Sequence, residues 1–187
     1  VLSGVIVGAF FTALISFVKY VADPIDALPS IVYWLMGSLA GASYEKILLV
    51  ASPVVIASVF LILLRWRINI LSLGSEHARA LGMDVSRMRC VIIICVTVLV
   101  ALAVSVAGII GWVGLVVPHL TRILIGPNHT VLVPASFFVG GVYLVAMDTL
   151  ARTLTPAEIP LGILTAIVGA VVFGALLYSR QSRGWNV

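Results

Sequence analysis

The chain has 187 residues, 62% of them hydrophobic and only 10% charged, with a mean hydropathy of +1.24 and a formal net charge of +4. A soluble domain carries roughly 25% charged residues, so this composition excludes one and marks an integral membrane protein. Apolar runs of helical length, without the short alternation of an outer-membrane barrel, make the fold class all-α, a polytopic transmembrane helical bundle. The positive charge sits on arginines beside the apolar runs and has no aromatic-rich basic patch with it, so it does not point to nucleic acid.

The chain starts at Val1, with no Met and no recognisable signal peptide, and its first run is already a full-length helix. A fragment of a longer polypeptide is expected. That first helix covers residues 1–18. Gly4 and Gly8 form a GxxxG pair beside Ala9 and Ala13. Small residues let membrane helices approach closely, so this face is expected to pack, or else to border a pathway. Residues 19–46 are mixed. Asp23-Pro24 and Leu28-Pro29 are expected to stop helices. Tyr33 and Trp34 look interfacial, and a short helix is expected over 31–40. Residues 47–64 form the second long helix, bent at Pro53.

Residues 65–89 are the only long polar interval, with five of the eleven basic and two of the seven acidic residues. Ser75 is expected to cap a short helix over 76–81 that Gly82 closes at C′. About two turns are marginal alone in water, so the helix needs the membrane domain or a partner. Taken alone, the interval is either a solvated loop or an element that docks into another subunit. Its apolar residues Leu71, Leu73, Ala78, Ala80 and Leu81 do not decide between these.

The third long helix spans 90–106. Cys90 and Cys95, five positions apart, share no helix face and read as packing residues. Gly108, Gly111 and Gly114 make a poor helix interior and suit a tight re-entry or a close crossing. The apolar stretch 115–125 is short for a span and is interrupted by Pro118-His119. Residues 126–129 are a turn, 131–150 a helix, 153–160 a loop and 161–178 the last helix. Gly162, Ala166, Ala170 and Gly174 fall every four positions there and predict a stripe for a close neighbour. Six membrane-embedded helices result, one of them irregular.

With 65–89 inside, the inner connections and C-terminus hold Arg65, Arg67, Arg79, Arg87, Arg89, Arg122, Arg180 and Arg183, against Lys19, Lys46 and Arg152 outside. This agrees with the positive-inside rule and puts the C-terminus in the cytoplasm.

Few polar residues lie in the spans. His119 and Arg122, three apart, either form a functional site at depth or cap carbonyls and bind lipid headgroups at the inner end. Asp148 and Arg152 can pair along a helix end. Glu158, just before Pro160, is positioned to meet the free N–H groups of the last helix. Arg152 is the only arginine outside and a candidate contact for an acidic partner. No catalytic constellation, phosphate-binding loop or metal-ligand cluster is legible, so an enzyme is not expected. Any energy source belongs to another subunit.

Several motifs then match one family in order and spacing. Gly108-Ile-Ile-Gly-Trp-Val-Gly-Leu-Val-Val-Pro-His-Leu-Thr-Arg122, with Gly126 and Asn128-His129, resembles the signature of the binding-protein-dependent permeases for iron chelates, haem and cobalamin, the FecCD-type family of ABC importers. Asp148-Thr-Leu-Ala-Arg152 and Glu158-Ile-Pro-Leu-Gly162-Ile-Leu-Thr165 resemble its next two signatures, and Asn69 to Gly82 its cytoplasmic loop.

The resemblance implies that residues 1–187 are one permease domain, the C-terminal half of a ten-helix protein in the bacterial or archaeal inner membrane. It implies that Gly74, His77, Ala78, Leu81 and Gly82 belong to the helices that seat on the ATPase, and that Arg152 pairs with a glutamate of the substrate-binding protein. The implied partners are a second permease copy, two ATPase subunits carrying ATP and Mg, the binding protein and the lipid bilayer; no cofactor sits on this chain. The implied cargo is an iron-siderophore, haem, cobalamin or a related metal chelate. The competing reading is an ATP-independent secondary carrier or channel, which would want an ionisable residue at mid-membrane. One departure is the lack of a proline soon after Gly169 in the last helix.

Overall fold

A computed structural model describes residues 2–181; Val1 and Arg183 lie outside the described residues, as does the side chain of Arg180. The described residues form α1 (Leu2–Val21), α2 (Ala27–Leu35), α3 (Tyr44–Leu63), α4 (Arg65–Ser72), α5 (Ser75–Ala80), α6 (Val85–Ala107), α7 (Val113–Ile125), α8 (His129–Thr153) and α9 (Leu161–Gln181). By length and composition, α1, α3, α6 and α8 are long and apolar enough to cross a membrane.

Local chemistry sets the boundaries. The Ser43 hydroxyl accepts from the Lys46 N–H at the start of α3. Asp84 does the same for Arg87 at the start of α6, and Asn128 for Thr130 at the start of α8. Each satisfies one of the free N–H groups of a first helical turn.

The chain runs back and forth between two ends. Residues 36–43, 108–112 and 154–160 meet at one, hereafter the junction end; residues 64–84 and 126–128 meet at the other, the short-helix end. Backbone and side-chain bonds fix this alternation: Ser38 N–H donates to Ala107 O at 2.8 Å, Gly162 N–H donates to Met36 O at 3.0 Å, and His129 N–H donates to Asn69 Oδ1 at 3.0 Å. α3 packs along α6, α7 along α8, and α9 against both α7 and α8. A compact core of Met147, Ala151 and Leu161, ringed by Leu39, Ile110, Tyr143, Leu164 and Val168, sits toward the junction end.

The structure corrects several expectations. The short helix expected over 31–40 is α2, Ala27–Leu35, and Leu28-Pro29 does not stop it. Pro29 sits in its first turn, where the missing N–H would have no intrahelical partner. The polar interval is not a loop with one helix: α4 occupies Arg65–Ser72, and α6 begins at Val85. Among the described residues no atom lies within 4 Å of a Cβ built on Gly4 or Gly8, so this face of α1 is open within this chain. The stripe on α9 is rotated. Leu161, Thr165 and Gly169 are buried, whereas Ala170 and Gly174 are exposed and Gly174 has nothing within 4 Å.

Candidate functional site

Three features carry the residues of interest. The first is the close approach at the junction end. Gly37 and Gly108 both have positive φ, +70° and +69°, where L side chains rarely sit. A Cβ on Gly37 would lie 2.6 Å from Ile109 O, and one on Gly108 would fall on the Trp34 carbonyl oxygen. Gly162 is crowded in the same way against the Met36 carbonyl. Three backbones therefore meet with no side chain between them, and two of their N–H groups bond across the gap. The expected close crossing at Gly108 is present, with Gly162 as its third member.

Trp112 follows directly. It is the one described non-glycine residue with positive φ, 68°, and it caps α7 without a side-chain bond. A Cβ on Gly169 would come within 2.7 Å of Trp112 Cβ, so the glycine gives the indole its seat. The indole meets Phe173 edge-on at 6.3 Å, and Phe173 in turn meets His119 at 5.5 Å. His119 is thus packed against α9, while Arg122 is exposed on the last turn of α7. Pro118 lies inside α7. Thr121 and Thr165, both fully buried, bond back to Val117 O and Gly162 O; neither was singled out from the sequence.

The second feature is α5. Ser75 is its first helical residue, and Gly74 precedes it with φ +110°, so the cap sits one residue earlier than expected. Its far end closes as expected. Gly82 N–H donates to Arg79 O at 2.8 Å and Met83 N–H to Ala78 O at 3.0 Å, the paired bonds of a Schellman motif. α5 rests on α4 and on the start of α6, where Ala78, at 0% exposure, is buried together with Val85 and Met88. Glu76, His77, Arg79 and Ala80 face outward, bracketed by Leu73 at 63% and Leu81 at 67% exposure. Ala78 therefore holds α5 to the bundle and is not part of its outer surface. α4 is anchored in turn: the Asn69 side chain accepts from the first N–H of α8, sixty positions along the chain.

The third feature is an ion-pair cluster where α8 ends. Arg152 Nε donates to Asp148 Oδ2 at 2.8 Å, the expected pair one helical turn apart. Arg152 Nη1 also donates to Glu158 Oε1 at 3.2 Å. α9 starts only at Leu161, so Glu158 serves the arginine rather than the first turn of α9. The connection is folded back by Ile159 N–H donating to Ala151 O at 3.2 Å, and Pro160 O accepts from Ile163 N–H at the start of α9.

The model of the FecCD transport family matches residues 1–179. The molybdate import system permease protein MolB of Haemophilus influenzae is 45% identical over 186 residues, which cover 100% of this chain and 55% of that protein. A Helicobacter pylori protein named as an iron chelatin transport system permease is 42% identical over 98% of this chain and 56% of its own length. The cobalamin import system permease protein BtuC of Halobacterium salinarum is 42% identical over 97% of this chain and 48% of its own length. The chain thus spans about half the length of these relatives. A solved structure described as an inward-facing conformation of a metal-chelate type ABC transporter superposes with a TM-score of 0.92 at 46% identity, covering 95% of this chain and 58% of that one.

Proposed function

We propose, because the chain belongs to the FecCD transport family, that it forms half of the permease in an ATP-driven, binding-protein-dependent importer of a metal chelate or related metal species. Being multi-pass and apolar, it works in a membrane; we place that membrane at the bacterial or archaeal cell's inner boundary. The short-helix end faces the cytoplasm and the junction end faces outward. Arg65, Arg67, Arg79, Arg87, Arg89 and Arg122 at the first end, against Lys19, Lys46 and Arg152 at the second, support this orientation.

The observation that carries the reading is the two-sided build of α5. A helix of six residues has too little length to stand alone. It is pinned inward by Ala78 and flanked by the exposed Leu73 and Leu81 within the one long polar interval of the chain. That is the form of a knob made to seat in another protein, here the ATPase subunit that holds ATP and Mg. Movement of the ATPase pair then pushes α5, and through the Asn69–His129 bond reaches α8. A second permease copy completes the pathway, bordered in part by the exposed face of α1 with Gly4 and Gly8. The binding protein delivers cargo at Arg152. Relatives named for molybdate, iron chelatin and cobalamin share this half, so cargo choice is assigned to the binding protein.

The test is Leu81→Asp in the full-length importer, reconstituted with its ATPase in proteoliposomes. Membrane insertion and thermal unfolding stay as in the parent, while uptake falls about tenfold or more, the loss of a hot-spot contact. Unchanged uptake removes α5 from the coupling surface.

A further inference from the structure

We propose that Glu158 is a built-in competitor for Arg152: it holds one guanidinium nitrogen in the undocked permease and gives up that contact when an acidic side chain of the substrate-binding protein takes its place. This rests on the reading of Arg152 as a docking residue. The geometry makes the two carboxylates unequal. Asp148 lies one turn before Arg152 on the same helix, its contact is the shorter at 2.8 Å, and its side chain is only 26% exposed. Helix geometry alone holds it in place. Glu158 comes from the connection between α8 and α9, makes the longer 3.2 Å contact, and is 40% exposed. Asp148 orients the guanidinium; Glu158 caps a nitrogen that an incoming carboxylate could use. With Arg152 itself 43% exposed, the exchange needs no unfolding.

Charge makes the competition matter. One guanidinium between two carboxylates gives the cluster a formal charge of −1. Among the other residues that the charge pattern puts on the same side, Asp23, Asp26 and Glu45 outnumber Lys19 and Lys46. An acidic partner therefore gains the guanidinium nitrogen only as Glu158 gives up its contact with it. Glu158 so weakens docking and favours release of the binding protein after delivery, which a transporter with repeated docking requires.

The experiment measures binding-protein affinity for the full-length importer in nanodiscs, using the importer's own loaded binding protein, at low and at physiological salt. Parent, Arg152→Gln, Glu158→Gln and the double variant are compared. Arg152→Gln weakens docking. Glu158→Gln tightens it, by about two- to fivefold at low salt, as expected for an exposed pair, and the gain shrinks as salt rises. In the Arg152→Gln background the gain disappears, because the competition needs its prize. Docking that is unaffected by Arg152→Gln overturns the docking role itself. If Arg152→Gln weakens docking but Glu158→Gln leaves it unchanged or weaker, the competition is refuted and the docking role stands. A gain that persists without Arg152 also refutes it, by tracing the effect to net charge alone.

Discussion

At the junction end, Gly37, Gly108 and Gly162 bring three backbones so close that no side chain fits between them. At the short-helix end, α5 is held by one buried alanine and leaves Leu73 and Leu81 open to water. Both ends close the same apolar body, yet one is joined backbone to backbone, while α5 at the other is held by a small side-chain contact. Gly37 and Gly108 are buried, so the backbone bonds beside them are shielded from water and the junction is suited to stay fixed. α5, six residues long, rests on α4 and the start of α6 alone among its larger packing contacts. The proposed coupling role calls for a contrast of this kind, with a compliant lever at one end and a fixed pivot at the other.

The largest effect that would break this contrast is expected at Gly108. Gly108→Val puts a branched side chain at φ +69° and onto the Trp34 carbonyl. The strain of the backbone and the forced separation of α2 from the α6–α7 turn together cost about 3 kcal/mol or more. The variant should fail to accumulate as a monodisperse species on size-exclusion in detergent. If it accumulates and unfolds at the parent temperature, the junction is not the rigid element.

Ala78→Phe comes next and sharpens the contrast. Its site is wholly buried, and overpacking costs typically 1–3 kcal/mol. Because α5 is short, the strain is expected to lift it off α4 and α6 rather than disturb the spans. Limited proteolysis should then cut within residues 65–89, while the long helices remain protected. Uptake is lost here through a displaced helix, whereas Leu81→Asp loses it with the helix in place. Protease resistance equal to the parent would mean that α5 has room beneath it.

How much of this could be read from the chain alone follows from the range of each interaction. The spans were legible because hydrophobic length is local, and α5 was legible because Gly82 closes it by bonds within one turn. The pair Asp148–Arg152 lies at helical spacing and was legible for the same reason. What escaped depends on the third dimension. α4 is polar on average and reads as loop; it is helical because it lies against α8. Ala78 and Leu81 sit in one short apolar-polar mixture, and only the position of α6 decides that one faces in and the other out. The buried line on α9 follows Leu161, Thr165 and Gly169 because Trp112 needs a seat at Gly169, and no spacing of small residues reports where that indole stands. Glu158 lies beside a helix start in the sequence, but the backbone fold-back at Ile159 carries it to Arg152.

The smallest effect tests the joint between lever and body. Asn69→Ala removes the acceptor of the His129 N–H and leaves the first turn of α8 short of one bond. Asn128 still accepts from Thr130 at that turn, so α8 keeps its cap and should not unravel. The loss is therefore about 1 kcal/mol, the net worth of one hydrogen bond, too little to affect insertion or the junction. Its consequence should be found in coupling: ATP hydrolysis by the assembled importer continues, while the cargo moved per ATP falls, because α4 no longer carries the push from α5 into α8. Measuring both rates on the same proteoliposomes separates this from simple instability, which would lower them together. If the ratio of uptake to hydrolysis matches the parent, the Asn69–His129 bond has no part in the proposed coupling.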